Sequence, residues 1–154
     1  MSAPTVHRPA FIPSVIYQNN RAALEWLRDA FGFEVSHLLI DSQGNIAHAE
    51  MSHGDGLVMI GNEWVEWAKS PASIGGKNTQ RLHVRLESGI DEHCAHARKA
   101  GAKIVMEPQD QFYGDRTYVA QDHEGHHWTF AQTVRVVPWD EMGEKVGLRH
   151  SDTL

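Results

Sequence analysis

The chain has 154 residues, of which 41% are hydrophobic and 22% charged, and it carries a formal net charge of −6. That composition fits one soluble globular domain, and its acidity disfavours non-specific binding to nucleic acid, which needs a basic surface. Cys94 is the one cysteine, which excludes an intrachain disulfide and a cysteine-based zinc cluster; no apolar run reaches membrane-spanning length and no signal-peptide pattern opens the chain, so a cytoplasmic location is expected.

Phe11 to Tyr17 is rich in β-branched and aromatic residues and reads as a strand, with Pro13 favouring a sheet edge. Asn19 or Asn20 caps the helix that follows, in which Ala23, Leu24, Leu27, Ala30 and Phe31 recur at helical spacing until Gly32 stops it. Phe33 to Ile40, Ile46 to Ser52 and Leu57 to Ile60 read as further strands, the first two separated by the turn-forming Asp41-Ser-Gln-Gly44. The link from Asn62 to Gln80 is expected as a long loop with a short helix at Trp64 to Lys69. Leu82 to Leu86 is again a strand. A helix from about Ile90 to Ala100 places Asp91 and Glu92 in its first turn, where the helix dipole favours carboxylates, and ends at Gly101. Lys103 to Met106, Thr117 to Gln121 and Trp128 to Ala131 supply three more strands, and the tail after Pro138 has the pattern of one short helix.

The order βαβββ thus occurs twice within a single expected domain, residues 1–154: module one at about 10–62, a linker at 63–80, module two at about 81–132 and a tail at 133–154. The helix-ending glycines are 69 positions apart and the strand cores Met59-Ile60 and Thr129-Phe130 are 70 apart, which supports a duplication whose halves bury a shared face.

The paired modules, the stretch Leu24-Glu-Trp-Leu-Arg-Asp-Ala-Phe-Gly-Phe33 and the hairpin Asp122-His-Glu-Gly-His-His-Trp-Thr-Phe130 together resemble the vicinal oxygen chelate superfamily. That group includes glyoxalases, bleomycin-resistance proteins, fosfomycin-resistance enzymes and extradiol dioxygenases, and the resemblance points to its metal-poor, bleomycin-resistance-like branch. It implies an α+β fold in which two βαβββ modules form curved mixed sheets around a cleft, and it implies a homodimer. Enzymes of the superfamily hold a divalent metal as a Lewis acid, through His, Glu or Gln on the first and last strands of each module. At those positions this sequence reads Ile12, Met59 and Thr129, and His83 is the one obvious donor. No cofactor is therefore expected, although a metal held by an atypical set that includes His83 stays open.

Alternation along the strand from Leu82 points Arg81, His83 and Arg85 to the cleft. For His83, contact with a ligand and a structural hydrogen bond are equally weighted readings. His48 shares parity with Glu50, which is a candidate general base or a partner for a cationic ligand. Tyr113-Gly-Asp-Arg116 is similar to a loop of the metal-poor branch, where Arg116 would clamp a carboxylate or phosphate; the other reading is a turn with Arg116 paired on the surface. Trp64 and Trp67 offer flat faces for stacking, or else anchor the loop or a dimer contact. His93 and His96, at i and i+3, have the spacing to share a metal, but a solvated helix face is the ordinary outcome. The resulting expectation is metal-independent binding of a small aromatic or cationic molecule by His48, Glu50, Trp64, Trp67, His83, Arg85, Tyr113 and Arg116. One alternative is a metal-dependent lyase, isomerase or dioxygenase with His83 among its ligands. Another is a metal-free enzyme that uses Glu50, His83 or Arg116 for proton transfer. Neither nucleic acid nor membrane is an expected partner.

Overall fold

Two four-stranded sheets carry the chain, and a computed structural model describes them over residues 8–154. The first module runs β1 (Ser14–Tyr17), α1 (Asn20–Phe31), β2 (Glu34–Ile40), β3 (Ile46–His53) and β4 (Gly56–Asn62). The second runs β5 (Leu82–Arg85), α2 (Ile90–Lys99), β6 (Lys103–Asp110), β7 (Asp115–Gln121) and β8 (His127–Thr133), and α3 (Trp139–Val146) follows it. The sheet orders are β1-β4-β3-β2 and β5-β8-β7-β6. In each sheet the first strand lies at the edge and pairs in parallel with the last, while the other neighbours are antiparallel. This is the expected α+β arrangement of two βαβββ modules. The contacts divide the chain into two compact units, residues 8–77 with His123–Gly125, and Asn78–Asp122 with His126–Leu154.

In the first unit, Asn19 caps α1 by accepting the Ala22 amide at 3.1 Å. Gly32, at φ 75°, ends the helix and returns its N–H to the Arg28 carbonyl, a left-handed position that glycine occupies without strain. The helix buries Ala23, Leu24, Leu27, Ala30 and Phe31, while Tyr17, Met51 and Ile60 form the buried face of the sheet. The turn His123–Gly125 belongs to this unit because the Glu124 carboxylate accepts the Gln18 amide at 2.7 Å, the Asn19 amide at 3.2 Å and the Ser70 hydroxyl at 2.7 Å. The short helix expected at Trp64 to Lys69 is absent. A single 3₁₀ turn forms instead at Pro71–Ser73, where Ser70 caps the turn and Pro71, whose φ is preset, occupies its first position.

In the second unit, Tyr118, Trp128 and Phe130 are buried on the sheet face, with Ile90, Cys94 and Ala97 of α2. The Asp122…Trp128 motif has a local cause. One carboxylate oxygen of Asp122 accepts the His126 amide at 3.0 Å and closes the turn, and the other accepts the Trp128 indole N–H at 3.0 Å and satisfies the buried ring. His93 points its Nδ1 to the Tyr118 hydroxyl at 2.6 Å and lies against Phe130, so its role is structural rather than metal-sharing with His96. Burial raises the Cys94 thiol pKa, which keeps it unreactive.

Candidate functional site

The second unit holds a cavity of about 790 Å³. Its floor is the end of the sheet, where alternation brings Arg85 of β5, Asp115 of β7 and Thr133 of β8 to one face; Asp115 and Thr133 are direct cross-strand partners. One wall is the β6–β7 turn, with Phe112 and Tyr113 packed edge to face at 5.2 Å. The opposite wall is α3, which presents Trp139, Met142 and Val146 at i, i+3 and i+7, and beyond it Leu148.

Two glycines make this enclosure close. Gly114, at φ 96°, uses its carbonyl to receive the Val134 and Arg135 amides at 3.0 and 3.1 Å, which lays the segment after β8 against the turn. A side chain there would meet the Arg135 carbonyl oxygen at 2.2 Å. Gly143 in α3 accepts the Leu148 amide at 2.8 Å, so the tail folds back over its own helix, and a side chain on Gly143 would stand 2.3 Å from the Leu148 oxygen. Gly147, at φ 71°, makes the reversal.

The floor is ionic and internally satisfied. Arg85 grips Asp115 through Nη1–Oδ2 at 3.0 Å and Nη2–Oδ1 at 3.3 Å, and it also donates to Thr133 Oγ1. Thr133 in turn donates to Asp115 at 3.1 Å. The Arg85 bond, and secondarily the Thr133 bond, hold the Asp115 carboxyl below its ordinary pKa. His83, two residues along β5, is held below the ordinary imidazole value, first by partial loss of hydration and then by the Arg85 charge. It is therefore neutral at pH 7.

The sequence-derived candidates divide into separate groups. Arg85 and Tyr113 line the cavity. His83 pairs with Thr129, as its strand register required, but does not line the cavity. His48 and Glu50 meet in the first unit, where Glu50 Oε1 accepts from Arg8 at 2.6 Å and lies 3.0 Å from His48 Nε2. Only 4% of Glu50 is exposed, beneath a thin cover, and its Oε2 has no hydrogen-bond partner among the described residues. The bonds from Arg8 and His48 lower its pKa to about 2, which makes it a weak base at neutral pH. Trp64 and Trp67 meet edge to face at 5.5 Å in the linker, exposed by 69% and 78%, and line no part of the cavity.

Arg116 departs from the clamp reading. It is bonded to Asp91 and Asp110, each at 3.0 Å, because strand alternation turns it to the face opposite Asp115. Sequence reasoning missed Asp115, Thr133 and the whole α3 wall as site residues. The apolar spacing of Trp139, Met142 and Val146 was the available signal, since a one-sided stripe on a terminal helix must face something.

The metal positions implied by the superfamily do not fit a divalent cation. In the first unit the register pairs Met59 with Ser14 rather than Ile12, a correction that the repeat spacing of 69 between Ser14 and His83 already contains. The donors there are a hydroxyl and a thioether. In the second unit they are the His83 imidazole and the buried Thr129 hydroxyl, whose oxygen has no partner among the described residues. Divalent cations at such sites need several imidazole or carboxylate donors, and among the described residues no three His, Cys, Asp or Glu side chains converge.

Fold, module order and sequence together define the class. The chain belongs to the glyoxalase/bleomycin resistance protein/dioxygenase superfamily, which matches residues 13–130. It is 28% identical over 138 residues to an uncharacterised protein of Mycobacterium bovis, covering 87% of this chain and 90% of that one. Among solved structures it is similar to TioX from Micromonospora sp. ML1, with 29% identity, a TM-score of 0.62 and coverage of 81% of this chain and 99% of that one. It also shares its fold with TnmS3, an antibiotic binding protein from Streptomyces sp. CB03234, with 17% identity, a TM-score of 0.62 and coverage of 86% and 99%. No helix among the described residues is long and apolar enough to cross a membrane.

Proposed function

We propose that this protein binds a small aromatic molecule in the cavity of its second unit, without a metal and without making or breaking a bond. The observation that carries this reading is the cavity itself. Its volume of about 790 Å³ lies within the range of small-molecule sites, and its walls of Phe112, Tyr113, Trp139, Met142 and Val146 suit a flat apolar body. The antibiotic-binding role of TnmS3 supports the reading at the level of fold alone. The walls favour the aromatic half of the sequence expectation over the cationic half, because the Asp115 carboxylate is already engaged by Arg85. The same proposal includes a homodimer, supported by the apolar Leu39 and Ile40, which stand 64% and 54% exposed on β2. It also includes a cytoplasmic location, supported by a single unpaired cysteine.

The test is a titration with planar aromatic molecules of differing charge, followed by tryptophan fluorescence. Trp139 lies in the wall, so binding should change the emission, and Trp139→Phe should remove most of that change. Binding should survive treatment with a chelator. No response from any compound, or a response that requires a stoichiometric metal, would overturn the proposal.

A further inference from the structure

We infer that the cavity of the second unit selects aromatic molecules bearing an anionic group, a carboxylate above all, and that Arg135 and Arg149 receive it. The inference rests on the binding role proposed above and names the ligand class. Among the described wall residues, Arg85, Arg135 and Arg149 are cations and Asp115 is the one acid. Arg85 is neutralised by its two-pronged bond to Asp115. Arg135 donates Nη2 to the Phe112 carbonyl at 3.1 Å, a neutral acceptor that leaves the guanidinium charge uncompensated. Arg149 has neither a hydrogen bond nor an ion pair among the described residues. His150 brings no acid to the wall, since its Nδ1 lies 3.3 Å from Asp140, which does not line the cavity.

Guanidinium groups stay charged throughout the physiological range, so the wall carries two unpaired positive charges in a chain whose net charge is −6. Such a concentration of one sign against the overall balance selects the charge of the occupant. A guanidinium fork matches a carboxylate with two parallel, charge-assisted hydrogen bonds. A ligand cation would meet like charge in the same surroundings. Phe112, Tyr113 and Trp139 hold the ring system, and the two arginines hold its acid.

The test uses three probes with one ring system: anthracene-9-carboxylate, anthracene-9-carboxamide and 9-(aminomethyl)anthracene. Each is titrated calorimetrically into the full chain at low salt. The carboxylate should bind tightest, by about tenfold over the carboxamide, with the amine weakest. Arg149→Gln should lower carboxylate affinity about five- to tenfold and leave the carboxamide within about twofold, while Arg149→Lys should restore part of the loss. Arg149 is exposed, so its substitution spares the fold; Arg135→Lys, which keeps a donor for the Phe112 carbonyl, is the second variant and should also weaken the carboxylate selectively. A carboxamide or amine that binds as tightly as the carboxylate would overturn the inference and leave the cavity reading standing. So would an Arg149→Gln variant that weakens carboxylate and carboxamide alike. Failure of all three probes to bind would overturn the cavity reading, and the inference with it.

Discussion

Asp115 is 8% exposed, with its carboxylate held between Arg85 and Thr133. Asp115→Asn removes the charge that Arg85 grips and leaves its fork half satisfied, so it should cost about 1–3 kcal/mol in a denaturant melt. The sign with pH follows from the lowered pKa. The stabilisation from Asp115 is complete above its ordinary value of 3.8 and is lost as pH falls through the lower folded value. Glu50 acts in the same direction over a stated window. Its pKa falls from 4.5 to about 2, so the native protein should lose stability as pH drops from 4.5 towards 2, and Glu50→Gln should flatten that part of the acid profile. Equal acid slopes for Glu50→Gln and the native chain would show that the Arg8 and His48 bonds contribute nothing.

At the scale of elements, α3 converts an exposed sheet end into an enclosure, and its position depends on residues that lack side chains. Gly143→Ala places a Cβ 2.3 Å from the Leu148 oxygen, so the tail must move off the helix. The cost should be about 1–3 kcal/mol, felt mainly in the tail, with aromatic ligand affinity falling while the unfolding midpoint of the two sheets changes little. Limited proteolysis beyond residue 143 should speed up in the same variant. The strands show why some of this was legible. The alternation expected from Leu82 matches the exposure along β5, where His83 and Arg85 are exposed and Leu82 and Val84 are partly covered, since a half-buried sheet fixes parity. Ile12 was placed two residues from the true partner Ser14, because a parallel pair has no hairpin turn to set its register.

At the scale of the whole molecule, the exposed apolar residues of β2 are the surface on which the proposed homodimer depends. Leu39→Lys should shift the protein towards monomer in sedimentation experiments, and an unchanged distribution would locate any self-association elsewhere. The two helix-plus-hairpin modules, the Asn19 and Gly32 caps of the first helix and the closing Asp122…Trp128 turn were legible in the chain, because each depends on local spacing and on one-dimensional hydrophobic period. Of the cavity's lining, Arg85 was a candidate through strand parity and Tyr113 through the resemblance of its loop to one of the metal-poor branch. The carboxylate that neutralises Arg85, the Asp91 carboxylate that engages Arg116 and the wall supplied by Trp139, Met142 and Val146 were decided only by tertiary structure. These are pairings between groups distant in sequence: Arg85 and Asp115 are 30 residues apart, and their meeting follows from the order in which the strands of the second sheet lie side by side.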